Sequence, residues 1–101
     1  MQHIAILKLK PEASGEAQTP YRRSEVERVW QPTVSGALRS VHFFCGEVQG
    51  AFFQLETSDR SEAEAAVQSL PIVAAGLLQA EILTLAPFTG LAALFAAPGG
   101  A

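Results

Sequence analysis

The chain predicts an α+β fold of four antiparallel strands with two helices on one face of the sheet. Three observations predict it. Four β-branched or apolar stretches alternate with two segments of helical period, in the order strand, helix, strand, strand, helix, strand. Glycine- or proline-bearing turns separate most of them. The whole is 101 residues, which is one domain.

The first strand is His3 to Lys10, apolar and β-branched before it turns polar. Residues 11–20 have no apolar period and read as a long surface loop or a lid. Thr19 then precedes Pro20 as N-cap and first helical residue. Val26, Val29, Trp30 and Val34 follow at helical spacing and predict one buried stripe. The Arg22, Arg23 and Arg28 side chains, interleaved with Glu25 and Glu27, read as the solvated face of that helix. Pro32 should kink or end it, and Ser35-Gly36 is the stop signal.

Leu38 to Cys45 and Ala51 to Glu56 are the second and third strands, joined through Gly46 and Gly50 as a hairpin. Ser61-x-x-Glu64 has the form of a capping box. Ala63, Ala66, Val67 and Leu70 form the apolar stripe of the second helix, which Pro71 ends. Ile72 to Gly76 is a short turn or single helical coil, and Leu77 to Leu85 the fourth strand. Right-handed crossovers in this βαββαβ order give a ferredoxin-like sheet of spatial order 4-1-3-2. Residues 1–87 make up this domain, and residues 88–101 form an apolar C-terminal tail.

Composition narrows the function. Seven basic residues stand against ten acidic, a net charge of −3, and 49% of the residues are hydrophobic against 17% charged. An acidic chain without a basic cluster is a poor nucleic-acid binder. The single cysteine, Cys45, excludes an internal disulfide and a Cys-rich zinc site, and parity places it as an inert thiol on the packed face. Two histidines expected on different faces do not make a metal set. No leader is read at Met1-Gln2-His3-Ile4, and no apolar run is long enough to span a bilayer, so a cytoplasmic protein is expected. So much apolar side chain in so small a domain, which hides only roughly two thirds of its unfolded surface, also predicts an oligomer.

Strand parity gives that excess an address. Ala5, Leu7, Leu9, Val41, Phe43, Cys45, Ala51, Phe53, Leu55, Leu78, Ala80 and Ile82 fall on one face, wholly apolar, and belong under the helices. The other face carries Ile4, Ile6, Phe44, Phe52 and Leu83, with Ser40, His42, Gln54, Gln79 and Glu81 among them. An apolar patch of that size marks an interface. Two sheets stacked face to face would cover it and leave a partly polar cavity between them for a small-molecule ligand. The assignment assumes no bulge in the second or fourth strand.

Four segments then resemble the muconolactone isomerase family of dimeric α/β-barrel proteins. They are the short first strand; Leu38-Arg39-Ser40 leading to Gly46-Glu47 and Phe52-Phe53; Glu56 to Glu62 entering the second helix; and Ser69-Leu70-Pro71-Ile72 before Ala80 to Pro87. The likeness covers roughly residues 36–87. It implies a cofactor-free isomerase that moves a proton along a small unsaturated lactone in aromatic-compound breakdown. It also implies a homodimer or higher ring whose tails pack on neighbouring subunits. Arg39 falls where the family has a basic residue ahead of Gly-Glu, which suggests a carboxylate binder, since a guanidinium fork matches a carboxylate. The loop before the first helix, Ser40 and the more apolar tail depart from the family and argue against an identical substrate.

For the chemistry, a proton shift beside a carbonyl needs a group that titrates near neutrality. His42 has that property unperturbed; its simpler reading is a histidine hydrogen-bonded in the interface. Glu81, set mid-strand among leucines and isoleucine, is a second acid/base candidate or a charge guarding an edge. The two stand three strand spacings apart, roughly 14 Å, and would cooperate only across a dimer. Gln54, Phe44 and Phe52 are the expected substrate contacts beside Arg39. His3 reads as structural, while Tyr21, Arg22 and Arg23 read as a plain helix start. Leu91, Leu94 and Phe95 form a stripe expected to dock on a partner subunit or cap the barrel mouth. The expectation is an isomerase-like enzyme acting on a small unsaturated lactone or carboxylated metabolite. A cofactor-independent oxygenase and a non-catalytic binding or assembly domain are the alternatives.

Overall fold

The computed structural model describes residues 1–96. The elements are β1 (Gln2–Leu9), a 3-10 helix (Gly15–Tyr21), α1 (Arg22–Ser35), β2 (Leu38–Phe43), β3 (Gly50–Glu56), α2 (Arg60–Gln68), α3 (Pro71–Ala74), β4 (Leu78–Thr84) and a second 3-10 helix (Thr89–Phe95). The four strands form one antiparallel sheet in the order β2-β3-β1-β4, the expected 4-1-3-2. This is the ferredoxin-like arrangement.

One face of the sheet makes the core. Ala5, Leu7, Phe53, Leu55 and Ile82 are buried there against Ala63, Val67 and Leu70 from α2 and Ile72 and Val73 from α3. The α2 stripe thus falls as its spacing requires. His3 lies on the same face, completely buried, with Nδ1 3.0 Å from the Thr84 hydroxyl.

Several local expectations shift. The helical run starts earlier than Thr19-Pro20: Ser14 caps the first 3-10 helix by accepting the N–H of Ala17, and that helix runs into α1 through Pro20. The capping residue of α2 is Asp59 rather than Ser61. Its carboxylate accepts the N–H of Glu62 at 2.8 Å, and Glu62 reaches back to the N–H of Ser58, a reciprocal arrangement two residues upstream. Pro32 does not stop α1, which continues for three residues to Gly36, left-handed at φ 87°.

The largest correction concerns α1. None of its residues is fully buried, and Val26, Trp30 and Val34 are exposed, Trp30 at 62%. Of the predicted stripe Val29 alone packs against the core, and the inward line is Glu25, Val29 and Pro32, each partly buried and spaced by four and then three residues. That line is turned about 100° from the predicted stripe. The helix consequently stands over β2 without closing on it, and Phe43, on the helix face of this edge strand, remains 89% exposed. Cys45 is exposed as well, because β2 ends at Phe43 and the cysteine lies in the hairpin connection, not on the packed face.

Candidate functional site

Where α1 stands off the sheet, a cavity of about 540 Å³ opens, the size of a small-molecule site. Its floor is β1, β2, β3 and β4, through Leu7, Val41, Ala51, Phe53 and Leu78. Val26 and Val29 of α1 and Ile72 of α3 form the opposite wall. The β2–β3 connection closes one end with Phe44, Val48 and Gln49. Gln18, from the first 3-10 helix, completes the rim. Most of the lining is apolar, and none of it is lysine or arginine.

Gly50 lets the cavity form at that end. Its φ is 155°, and a Cβ there would stand 1.8 Å from the Leu7 carbonyl oxygen. Only glycine lets β3 start so close to β1.

Among the described residues, the cavity's single carboxylate is Glu25. Its Oε2 accepts the backbone N–H of Ile72 at 3.0 Å, an otherwise free donor in the first turn of α3. Oε1 takes no hydrogen bond from the described residues. Desolvation in the half-buried setting pushes the Glu25 carboxyl above the ordinary glutamate range, and the Ile72 N–H offsets part of that rise. Reading the Arg-Glu run as one solvated face missed this residue. The signal was present in the spacing: Glu25 stands four residues before Val29, on the same helical face.

The predicted residues lie mainly on the other side of the sheet. Register places His42, Phe52, Ile6 and Glu81 in one row across it, and Ser40, Gln54, Ile4 and Leu83 in the next. The His42 ring lies beside Phe52, with centroids 6.5 Å apart and planes tilted by 50°. His42 and Glu81 occupy the two edge strands, as expected, with two strands between them. A bulge does occur in β2, between Leu38 and Ser40. It holds Arg39, returns Leu38 to the core and leaves the parity of Ser40 to Phe43 intact. Of the six predicted site residues, His42 and Phe44 border the helix-side cavity; Arg39, Gln54, Phe52 and Glu81 do not. Among the described residues no group of three or more His, Cys, Asp or Glu comes together, and no helix is long and apolar enough to cross a membrane.

Solved structures with the same architecture include the 5-chloro-2-hydroxyhydroquinone dehydrochlorinase TftG from Burkholderia phenoliruptrix AC1100, in complex with 2,5-dihydroxybenzoquinone. It superposes with a TM-score of 0.74 at 14% identity, over 89% of this chain and 98% of that one. Muconolactone isomerase superposes with a TM-score of 0.69 at 15% identity, over 86% of this chain and 90% of that one. The chain therefore shares the fold of these two proteins. Neither a family model nor a curated sequence matches it.

Proposed function

We propose that the protein is a cytoplasmic, cofactor-free enzyme that converts a small unsaturated ring or lactone by moving a proton, working as a homodimer or larger ring. The observation that carries this reading is the apolar cavity between α1 and the sheet, of about 540 Å³, with a half-buried carboxylate in its wall. Apolar walls hold a ring, and few polar groups orient it. Two of its structural neighbours are a dehydrochlorinase complexed with a dihydroxybenzoquinone and an isomerase named for a lactone, which supports a ring-shaped substrate. Fold alone does not carry a function; the cavity does.

A second reading rests on the open face. His42, Phe52, Ile6 and Glu81 in one row, beside Gln54, Ile4 and Leu83, form an apolar surface with isolated polar groups. Stacked on a second copy, β2 of one chain would approach β4 of the other, bringing a histidine and a carboxylate to one cavity. Arg39 would then bind the substrate carboxylate from the rim.

Turnover of unsaturated lactones and hydroxylated six-membered rings, followed by absorbance, tests both. Ala51→Phe fills the helix-side cavity from β3 and is expected to lower turnover about 10²-fold or more, since ring placement is lost. Glu81→Gln, which lies away from this cavity, is expected to leave it within a few-fold. The reverse pattern moves the site to the open face, and no turnover with any ring sinks the enzyme reading.

A further inference from the structure

Helix α1 stands over a second, smaller cavity as well. It has a volume of about 130 Å³ and lies further along the helix, between α1, the β2–β3 pair and α2. Leu38 and Leu55 of the sheet border it on one side, with Ala66 of α2 and Leu70 on another. Val29 of α1 and Phe53 of β3 border both cavities. The inward line of α1 spans the two: Glu25 borders the larger, Val29 both and Pro32 the smaller. From Glu25 to Pro32 is about 10 Å along the helix axis.

The two cavities differ in chemistry. The larger has Gln18, Glu25, His42 and Gln49 on its lining. The polar residues of the smaller are Arg28, Thr57 and Glu62. The Thr57 hydroxyl donates to the Asp59 carbonyl at 2.6 Å, and one Glu62 oxygen accepts from the Ser58 N–H and hydroxyl. Arg28 and Glu62 carry opposite charges, so a chain end of either sign would meet one of them as a like charge. An apolar group meets no such repulsion. An apolar cavity of about 150 Å³ stays dry and takes a benzene molecule. At about 130 Å³ the smaller cavity therefore suits a chain of about three to five carbons.

Resting on the proposal that a ring occupies the larger cavity, we infer that this ring carries an uncharged alkyl chain of about three to five carbons, seated in the smaller one. The ring stays with the polar groups of the larger cavity. Its chain passes between Val29 and Phe53 and fills the space under the second half of α1. Val29 and Phe53 thus determine specificity, passing a thin chain and stopping a second ring. No residue of α1 is fully buried, so a small rise of the helix over the chain breaks little packing. Each methylene moved from water into this space is expected to tighten binding about four-fold.

The test uses the full chain and neutral butenolides bearing a methyl, butyl or octyl group. Calorimetry gives the dissociation constants. Amide shifts of Ala37, Ala66 and Leu70, which border the smaller cavity and not the larger, locate the chain. The butyl ring is expected to bind about 50-fold more tightly than the methyl ring and to move those three amides. The octyl ring should gain nothing more, because the cavity is then full. Ala66→Leu fills the smaller cavity from α2 and should bring the butyl-to-methyl ratio close to one. If that variant does not fold, the octyl limit and the three amides of the unaltered chain decide. A ratio near one in the unaltered chain, or an undiminished ratio in folded Ala66→Leu, overturns this inference and leaves the cavity reading standing. So does affinity that keeps rising to octyl, or butyl binding that leaves the three amides unmoved. If no ring moves a resonance of the larger cavity, both fall.

Discussion

Glu25 and Ile72 are joined across 47 residues of sequence by a single hydrogen bond of 3.0 Å, from the Ile72 N–H to the Glu25 carboxylate. That bond ties α1 to the first turn of α3, and both residues border the cavity. One side chain therefore serves the fold and faces the site.

Removing it should be visible in stability. Glu25→Ala leaves the Ile72 N–H without its partner and is expected to cost about 1–2 kcal/mol in urea unfolding, whereas Glu25→Gln retains an acceptor and should cost less. The pH dependence has a definite sign. Burial raises the folded pKa of Glu25, so the folded chain binds this proton more tightly than the unfolded one. Stability from this group then falls as pH rises from the unfolded value through the folded one. The unaltered chain should lose stability relative to Glu25→Gln across that window, and a flat difference would contradict the assignment.

Glu62 gives the opposite sign. The Ser58 hydroxyl and N–H hold its carboxyl below the usual range. Its contribution is present above the unfolded pKa and is lost as pH falls through the folded one. Glu62→Gln should destabilise the chain at neutral pH, and the gap should close on acidification. Unfolding curves at several pH values measure both effects.

Gly50→Ala should be severe for an exchange that adds one methyl group. The new Cβ would stand 1.8 Å from the Leu7 carbonyl oxygen, at a backbone φ of 155°. The β1–β3 pairing must part to admit it, at an expected cost of about 2–3 kcal/mol. A change in midpoint too small to measure would show that the strand ends separate freely.

The tail gives a prediction about assembly. No residue of Thr89–Phe95 is buried, and Phe95 is 87% exposed. Residues 97–101 of the predicted tail lie outside the described residues. Deleting residues 88–101 should lower the oligomer mass in light scattering without changing the unfolding midpoint of the isolated domain. Unchanged mass would remove the tail from assembly.

The open face makes a parallel prediction. Leu83 is exposed at the edge of the row that includes Ile4 and Gln54. Leu83→Lys places a charge on that surface and should lower the oligomer mass if a second sheet covers it. Retention of the mass with this variant would point to another interface.

Much of the fold was legible because strand and helix periods are local. Alternation placed Ala5, Leu7, Phe53 and Ile82 on the buried face, and the α2 stripe at Ala63 and Val67 needed only four-residue spacing. The row His42–Phe52–Ile6–Glu81 followed from parity and strand order together. The α1 face did not. Val26, Trp30 and Val34 looked like a core stripe, but a helix turns whichever face its packing partners can use. Here α1 presents Glu25, Val29 and Pro32 to the sheet and α3.

By itself, then, the sequence determined the element order, the sheet topology and the two sheet faces, because these depend on periodicity and on the handedness of crossovers. Only the tertiary structure decided where α1 stands relative to β2. That relation depends on how two elements distant in sequence meet, which no local pattern records. It opened the cavity on the helix side of the sheet and turned Glu25 from a surface charge into the carboxylate of its wall.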